Sequence, residues 1–430
     1  MSIIIDPCDS LVHEHVHIWI RDLEPNTIYR VELRLLHPIG IYRSFGVFKT
    51  NAIGVIDLSK DSPIRGTYAG VRRMGLFESV EPTDTIRQGA YCKCTPPDDF
   101  NYELRVTSSD GVLRCSKTLK KRLLHPNVER IEIDHLVSDT EGTSSVINSR
   151  KVVGTLFKPF GDGPFPAVID ISGTGGGINE QKGAALSSRG FCVLSLAFFQ
   201  YKNLPEVMQK VDVQYFEDAI DFMRSLPFTT DKIGFQGVSF GGTLAIYLST
   251  LIPTIKAVVS INGSYSMDNI SYITVHGEMP KVAVFPQDGK NLYFLNSLMC
   301  YDKMVRNLEY NSDARFKLEN SSPETVYRFV SSLDDLSTPT IYATNLLTAK
   351  LKKLKRDYEV HFLPGGHLMD PPCYPAHPTV FAKFAGMHQA YGGDFALHGK
   401  SQFEAWEATV AFFKKHLSSD GSSFTTTSKI

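Results

Sequence analysis

Gly237-Val238-Ser239-Phe240-Gly241 is the stretch that decides the fold, because it has the form G-x-S-x-G and stands between a strand pattern and a helix pattern. Residues 232–236 before it are short and apolar enough for a buried strand, and residues 242–248 after it are typical of a buried helix. A sharp strand-to-helix turn tolerates only small neighbours, and it lifts the serine hydroxyl above the sheet. The stretch therefore predicts a catalytic serine at Ser239, with the N–H of Phe240 as an oxyanion donor.

Length and composition are those of an ordinary enzyme with more than one domain. The 430 residues exceed the size of a single typical core, and 42% hydrophobic content excludes a largely disordered chain. A net charge of −1 gives no reason to expect nucleic acid or an anionic membrane surface as a partner. No apolar stretch reaches the roughly 18 residues that a membrane span needs. Seven scattered cysteines, an odd number, favour free thiols in a reducing compartment.

The chain changes character near residue 126. Residues 1–126 alternate apolar and polar side chains over short runs, with a hairpin signal at 109–111, which predicts an all-β, immunoglobulin-like domain: an antiparallel sandwich of about seven strands. From 127 to 417, strands alternate with helices, which predicts a doubly wound, mostly parallel α/β sheet. The Pro- and Gly-rich segment 159–166 is interpreted as the turn of an early hairpin, and the polar residues 418–430 as a disordered tail.

The partners that a serine nucleophile requires follow in the order of an α/β hydrolase: serine, acid, histidine. Asp334 and Asp335 come directly after the strand pattern 326–330, and either one could be the acid, since two adjacent side chains cannot both face the histidine. His367 lies on a loop just beyond the strand pattern 359–363, which is taken as the last strand. We therefore expect His367 to be the general base.

A glycine-rich loop, Ser172-Gly173-Thr174-Gly175-Gly176-Gly177, follows an apolar strand pattern and predicts the second oxyanion donor in the region of Thr174 and Gly175. A phosphate-binding loop is the alternative, but the dinucleotide fingerprint and the lysine of a P-loop are both missing. The His13-Glu14-His15-Val16-His17 stretch would place three imidazoles on one strand face, yet no fourth zinc ligand is in view. We expect neither a metal nor a cofactor.

The last three residues, Ser428-Lys429-Ile430, differ by one side-chain isomer from the S-K-L address that the peroxisomal import receptor recognises. They predict import into peroxisomes. The alternative is that a polar tail ends in these residues by accident, and that the protein acts in the cytoplasm.

Many motifs of the chain resemble those of one family, the acyl-CoA thioesterases related to bile acid-CoA:amino acid N-acyltransferase. The matching motifs extend over nearly the whole chain: Asp57-Leu58-Ser59, Gly66-Thr67-Tyr68-Ala69-Gly70, Pro164-Phe165-Pro166 through Gly177, Ile261-Asn262-Gly263-Ser264, Pro371-Pro372, Gly392-Gly393, Ala405-Trp406 and Phe412–Leu417. The resemblance implies a triad of Ser239, Asp335 and His367 and an acyl-CoA substrate. It also strengthens the peroxisomal prediction, because several family members are found there.

One position separates the two activities of that family. The amino-acid transferases have a cysteine nucleophile and the thioesterases a serine, so Ser239 favours hydrolysis to free acid and CoA. The family usually has lysine at position 240 and glutamate at 243, where this chain has Phe240 and Thr243, and this departure leaves the polarity of the substrate entrance open. The alternatives are acyl transfer to glycine or taurine, an esterase acting on esters without CoA, and an inactive hydrolase that only binds acyl-CoA.

Overall fold

A computed structural model describes residues 1–137, 150–285, 289, 291–306, 312–383 and 385–418. The predicted tail beyond residue 418, with Ser428-Lys429-Ile430, lies outside the described residues.

Residues 1–126, here called the N-terminal β region, form two sheets. Their elements are β1 (Ser2–Asp6), β2 (Asp9–Leu11), β3 (His17–Arg21), β4 (Ile28–His37), β5 (Gly40–Lys49), β6 (Ile56–Asp57), β7 (Arg65–Gly66), α1 (Gly75–Glu78), β8 (Glu81–Pro82), β9 (Asp99–Ser108) and β10 (Leu113–Arg122). The strand orders are β1-β3-β6 and β2-β10-β9-β4-β5-β7, with β8 paired to β5. Alternate residues of β4 and β9 are buried, as the alternating pattern predicts.

Two details of the predicted sandwich are wrong. The region has ten strands rather than about seven, and β10 pairs with β2 in parallel although every other pair is antiparallel. Four of the strands have only two or three residues, which is too short for alternation to be visible in the sequence. The hairpin at 109–111 is confirmed, since β9 and β10 pair on either side of it. The immunoglobulin-like topology stays a prediction.

The rest of the described chain is built on an eight-stranded sheet. Its strands, with those of a smaller sheet, are β11 (Glu129–Val137), β12 (Arg150–Lys158), β13 (Phe165–Ile171), β14 (Cys192–Leu196), β15 (Thr229–Val238), β16 (Ile255–Ile261), β17 (Tyr293–Leu295), β18 (Leu298–Cys300), β19 (Val326–Ser332), β20 (Tyr358–Leu363), β21 (Thr379–Ala382) and β22 (Met387–Ala390). The order is β11-β12-β14-β13-β15-β16-β19-β20, antiparallel as far as β14 and parallel from there on. The mostly parallel sheet is confirmed.

Two connections differ from the sequence interpretation. Segment 159–166 is not a hairpin turn, because β14 returns to lie between β12 and β13. Strand β20 is the last strand of the large sheet but not of the chain, since β21 and β22 form a second sheet in the order β17-β18-β22-β21. In both cases a later segment completes the sheet, which the local pattern does not reveal.

Helices cover both faces of the large sheet. The α-helices are α2 (Gln181–Ser187), α3 (Gln214–Ser225), α4 (Phe240–Leu251), α5 (Asp302–Arg306), α6 (Thr340–Lys353) and α7 (Phe395–Leu417), and short 3-10 helices span Met208–Lys210, Ser312–Ala314 and Leu318–Asn320. Val168 of β13 belongs to the core under α2 and α7, and the next residue, Ile169, to the core under α3, α4 and α6. Burial on both faces explains why these strands are continuously apolar. No helix in the described part of the chain has the length and apolar character that crossing a membrane requires.

The N-terminal β region and the large sheet share one hydrophobic core. The Tyr102 hydroxyl donates to the carbonyl oxygen of Cys373 at 3.0 Å, and the Tyr374 hydroxyl donates to that of Cys94 at 3.2 Å. The rings of Phe100 and Tyr374 meet edge to face, with centroids 4.7 Å apart. The segment that follows His367 is therefore packed against the N-terminal β region.

Candidate active site

Ser239 forms the corner between β15 and α4. Its backbone has φ 59° and ψ −127°, a left-handed conformation that is strained for a residue with a side chain. The Ser239 N–H donates to the carbonyl oxygen of Ile261 at 2.9 Å, which fixes the corner to the end of β16. A Cβ on Gly241 would lie 2.6 Å from the Ser172 carbonyl oxygen, and one on Gly237 would collide with the backbone of Gly241. Both glycines of the motif are thus required by close backbone approach.

The glycine-rich loop reaches the serine at Gly173, which was not among the residues predicted as oxyanion donors. A Cβ on Gly173 would lie 3.3 Å from Ser239 Cβ and 3.8 Å from Ser239 Oγ, whereas one on Gly175 would have no neighbour within 4 Å. The Gly176 N–H donates to the Gly173 carbonyl oxygen at 3.2 Å, so Thr174 and Gly175 occupy the tip of a turn. Phe240 is the first residue of α4, where an N–H has no partner within the helix. The assignment of Phe240, Thr174 and Gly175 as oxyanion donors stays a prediction, with Gly173 as a further candidate.

The structure brings His367 together with Asp335 and separates it from Asp334. His367 Nδ1 lies 2.8 Å from Asp335 Oδ2, and each side chain is 1% exposed. Asp335 Oδ1 accepts hydrogen bonds from the N–H groups of Ser337 and Thr338, at 2.8 and 2.9 Å. Asp334 is exposed, and its carboxylate accepts from the Gly393 N–H at 2.8 Å instead. The geometry thus favours Asp335 of the two aspartates.

The backbone of His367 is held by partners that the sequence analysis missed. Asn262, which follows β16, donates from Nδ2 to the carbonyl oxygens of His367 and Gly366, at 2.7 and 3.3 Å. The His367 N–H donates to the carbonyl oxygen of Tyr391 at 2.8 Å, and the two rings meet edge to face. The only sequence signal was that Asn262 falls in one of the motifs shared with the family.

His398 of α7 holds the residue just before His367. The Gly366 N–H donates to His398 Nδ1 at 3.0 Å. Burial lowers the pKa of His398 to about 4, so at neutral pH the imidazole is uncharged and Nδ1 can accept this hydrogen bond. This hydrogen bond joins the first turn of α7 to the loop that carries His367, and it therefore helps to fix the position of His367.

Phe240 and Thr243, which depart from the family pattern, both lie inside the protein. The Phe240 side chain belongs to the core under α3 and α4. Thr243 Oγ1 donates to the carbonyl oxygen of Ser239 at 3.1 Å and accepts from the Ser264 N–H at 2.8 Å. Thr243 thus ties the serine corner to the segment after β16.

Two surface cavities lie away from these residues. One of about 510 Å³ is lined by Arg34, Arg43 and the segment 82–85 of the N-terminal β region. A second, of about 250 Å³, lies between that region and residues 376–379. Neither is lined by Ser239, Asp335 or His367.

The histidine-rich stretch near the N-terminus makes separate aromatic contacts. The His15 ring meets Phe403 edge to face, and the His17 ring stacks on Trp19. His17 begins β3, but His13 and His15 precede the strand, so the expected strand alternation does not hold. Across the described ranges, no group of three or more His, Cys, Asp and Glu side chains is arranged to hold a metal ion.

Comparisons with known proteins agree over both parts of the chain. Residues 13–135 match the family model described as Acyl-CoA thioester hydrolase/BAAT N-terminal region, and residues 211–419 match BAAT / Acyl-CoA thioester hydrolase C terminal. Acyl-coenzyme A amino acid N-acyltransferase 2 of Mus musculus is 28% identical over 98% of this chain and 99% of its own. The peroxisomal succinyl-coenzyme A thioesterase of Mus musculus is also 28% identical, over 94% of each chain. Among solved structures, the acylaminoacyl peptidase of Pyrococcus horikoshii is 14% identical with a TM-score of 0.43, over 95% of this chain and 61% of that one, which is too distant to support an argument.

Proposed function

Since the chain belongs to the family of acyl-CoA thioesterases and bile acid-CoA:amino acid N-acyltransferases, we propose that it hydrolyses acyl-CoA to a free acid and CoA. The observation that carries this proposal is the strained serine corner at Ser239 together with the buried pair of His367 and Asp335. In this proposal residues 1–126 and 127–417 are the two domains, and the second one contains the triad.

The proposed reaction has two steps. His367 Nε2 takes the proton from Ser239 Oγ as this oxygen attacks the thioester carbonyl; the carbon–sulfur bond then breaks, and CoA leaves with a proton from His367. Water, deprotonated by His367, attacks the acyl ester and releases the acid, and the proton returns to Ser239. Asp335 keeps the proton of the neutral imidazole on Nδ1, because its Oδ2 lies 2.8 Å from that atom.

The negative charge on the carbonyl oxygen is stabilised by backbone N–H groups. Phe240 supplies one at the start of α4, where the helix dipole adds to the effect. The second comes from the loop 173–175, which approaches Ser239 at Gly173. No side chain at position 240 is needed for this role, so the change from lysine to Phe240 leaves it intact.

Acyl transfer to an amino acid is the second candidate, because relatives named as N-acyltransferases are as similar to this chain as those named as thioesterases. The nucleophile favours hydrolysis. An amine attacks a thioester intermediate more readily than an oxygen ester, so an acyl group on Ser239 is the poorer donor to glycine or taurine.

The test is a panel of acyl-CoA substrates assayed for thiol release, with and without millimolar glycine or taurine, with product identification by mass spectrometry. We expect free acid as the main product of the natural chain. Ser239→Cys is the informative variant, because a thioester intermediate should increase the share of amide. An amide majority from the unaltered chain would assign it to the transferase branch, and failure to release thiol from any acyl-CoA would refute both candidates.

Import into peroxisomes is part of the proposal. It is supported by Ser428-Lys429-Ile430 and by the name of one relative, the peroxisomal succinyl-coenzyme A thioesterase. A fluorescent tag at the N-terminus should co-localise with peroxisomes, and removal of the last three residues should release it to the cytosol. A full-length protein that is already cytosolic would contradict this part of the proposal.

A further inference from the structure

Behind the His367 loop lies a cluster of buried titratable side chains that the proposed reaction does not use. Its members come from β13, from α2, from α7 and from the segment after His367: Asp170, Lys182, Asp370, His377 and His398. Tyr91 of the N-terminal β region joins it through its hydroxyl. Burying so many ionisable groups is costly unless each has a partner.

Asp370 is the centre of this cluster. Its Oδ1 lies 2.8 Å from Lys182 Nζ, with side-chain exposures of 3% and 5%, and its Oδ2 accepts from the Tyr91 hydroxyl at 2.9 Å. Gln181 Nε2 donates to that same hydroxyl at 3.1 Å. Burial acts to raise the pKa of Asp370, but Lys182, with smaller contributions from His377 and Tyr91, holds it below its usual value. Asp370 is therefore ionised and fully paired.

Asp370 and its partners belong to three parts of the molecule. Lys182 and Gln181 lie on α2, which begins four residues after the glycine-rich loop 172–177. Tyr91 belongs to the N-terminal β region, where its ring packs on His377 with centroids 4.4 Å apart. The neighbouring Cys92 N–H donates to His377 Nε2 at 2.8 Å. Asp370 itself follows His367 by three residues.

The His367 loop is thus fixed on both sides. Before the histidine, His398 holds the Gly366 N–H, and Asn262 holds two carbonyl oxygens. After it, Lys182 and Tyr91 hold the Asp370 carboxylate. A buried ion pair is a weak source of stability, because apolar side chains of similar size often stabilise a fold as well or better. A role in geometry accounts for this pair better than a role in stability.

We propose that Asp370 is a positioning residue for His367, and that the N-terminal β region takes part in the reaction by holding Asp370 through Tyr91. The inference rests on the proposed function. Release of Asp370 would free the loop after the histidine and displace its imidazole from Ser239. A displacement of about 1 Å at a reacting group costs roughly 100-fold in rate.

The mildest test is Tyr91→Phe, which removes one hydroxyl and keeps the ring on His377. We expect kcat for thiol release to fall by roughly 5- to 10-fold with KM unchanged, because one of the groups that hold the Asp370 carboxylate is lost. Tyr327→Phe is the matched control: it removes a buried hydroxyl that lies 3.0 Å from Ser249 Oγ, away from the His367 loop. The control should keep the wild-type kcat. Equal kcat values for Tyr91→Phe and the wild type would overturn the role of the N-terminal β region.

Asp370→Asn should reduce kcat by roughly 100-fold. Because this variant leaves Lys182 buried without a countercharge, the double variant Lys182→Met/Asp370→Leu separates positioning from stability. We expect its thermal unfolding to match or exceed that of the wild type, while kcat stays at least about tenfold lower. Recovery of both stability and kcat in the double variant would overturn the proposal, as would a loss of kcat that only follows the folded fraction.

Two further measurements do not depend on the substrate. The downfield proton resonance of His367 Nδ1–H beside Asp335 should shift or broaden in Tyr91→Phe and Asp370→Asn, but not in Tyr327→Phe. The rate at which a fluorophosphonate inactivates Ser239 should fall in the same order as kcat. If the wild type cleaves no acyl-CoA, the proposed function fails, and these two measurements still decide the role of Asp370: unchanged values in both variants would overturn it.

Discussion

The serine corner and the His367 loop are built in different ways. The corner depends on backbone contacts: Gly237 and Gly241 pack without side chains, and Ser239 takes a left-handed conformation between them. The loop depends on polar side chains from distant segments. His398, Asn262 and Lys182 are 31, 105 and 185 residues away from His367 along the chain, as their numbers show.

This difference determines which changes each part tolerates. A steric constraint between backbones leaves almost no freedom for substitution, and its loss disturbs the whole corner at once. A set of polar contacts can lose one member and keep the others, so its failures should be graded. The following predictions test this contrast, from the largest expected effect to the smallest.

Ser239→Ala should abolish thiol release, with a loss of kcat of order 10³ or more, because no other oxygen can take its place. The expected thermal unfolding is that of the wild type, since the change removes one hydroxyl from a partly exposed residue. The measurement is kcat for thiol release on purified protein, and circular dichroism checks that the variant is folded. Even a tenth of the wild-type activity in this variant would contradict the assignment of the nucleophile.

Asp335→Asn should lower kcat by about 10³-fold, since an amide beside His367 Nδ1 favours the wrong tautomer of the imidazole. Asp334→Asn is the matched control at the neighbouring position. Its side-chain oxygen can still accept from the Gly393 N–H, so the expected change is less than about fivefold. If the two variants ranked in the opposite order, the acid would be Asp334, against the geometry of the site.

Gly241→Ala tests the steric half of the contrast. The added Cβ would lie 2.6 Å from the carbonyl oxygen of Ser172 and 2.7 Å from that of Ile171, which forces α4 away from the glycine-rich loop. We expect a loss of about 1–3 kcal/mol in the free energy of unfolding and roughly a 10- to 100-fold loss of kcat. Urea unfolding and thiol release measure the two effects. A variant as stable and active as the wild type would show that the contact is not constraining.

Asp170→Asn tests the buried polar cluster behind the His367 loop, through the pH dependence of stability. Burial raises the pKa of Asp170 to about 7, against the opposing effects of Lys182 and of the hydrogen bond from Gln236, while Asp370 adds to the rise. Between about pH 4 and 7 the native state binds a proton that the unfolded state has lost, so wild-type stability falls as pH rises through this window.

The asparagine variant lacks that titration. Relative to the wild type, its free energy of unfolding should gain at most about 3 kcal/mol between pH 5 and pH 8, since about two pKa units of the shift lie above pH 5 and each corresponds to about 1.4 kcal/mol. Urea unfolding of both proteins at the two pH values gives the difference directly. If the free energies of unfolding of the two proteins changed with pH in parallel, Asp170 would be ionised throughout this range.

The same contrast explains what the sequence could predict. The corner at Ser239 was visible because its constraint is local: the glycines, the strand before them and the helix after them are adjacent in sequence. The position of His367 after β20 followed from the order of the α/β hydrolase. The choice of Asp335 over Asp334 needed the family resemblance, since two neighbouring residues after a strand are equivalent until the turn they form is known.

The residues that hold the loop could not be predicted in this way. Asn262 and His398 act only because β16 and α7 bring them beside Gly366 and His367, and no periodicity marks them. The approach of Gly173 to Ser239 could not be predicted, because the sequence does not say which residue of a glycine-rich loop comes close to the serine. Strands of two or three residues, such as β6 and β7, were missed because they are too short to show a pattern.

The core shared by the N-terminal β region and the segment after His367 bears on how members of this family could be recombined. Tyr102 and Tyr374 each donate to a carbonyl oxygen on the other side of this boundary. A chimaera that exchanged only residues 1–126 would pair an imported β region with a 370–377 segment adapted to a different one. Transferring residues 370–377 together with residues 1–126 would preserve the contacts between them. The part that has to be exchanged is therefore discontinuous in sequence.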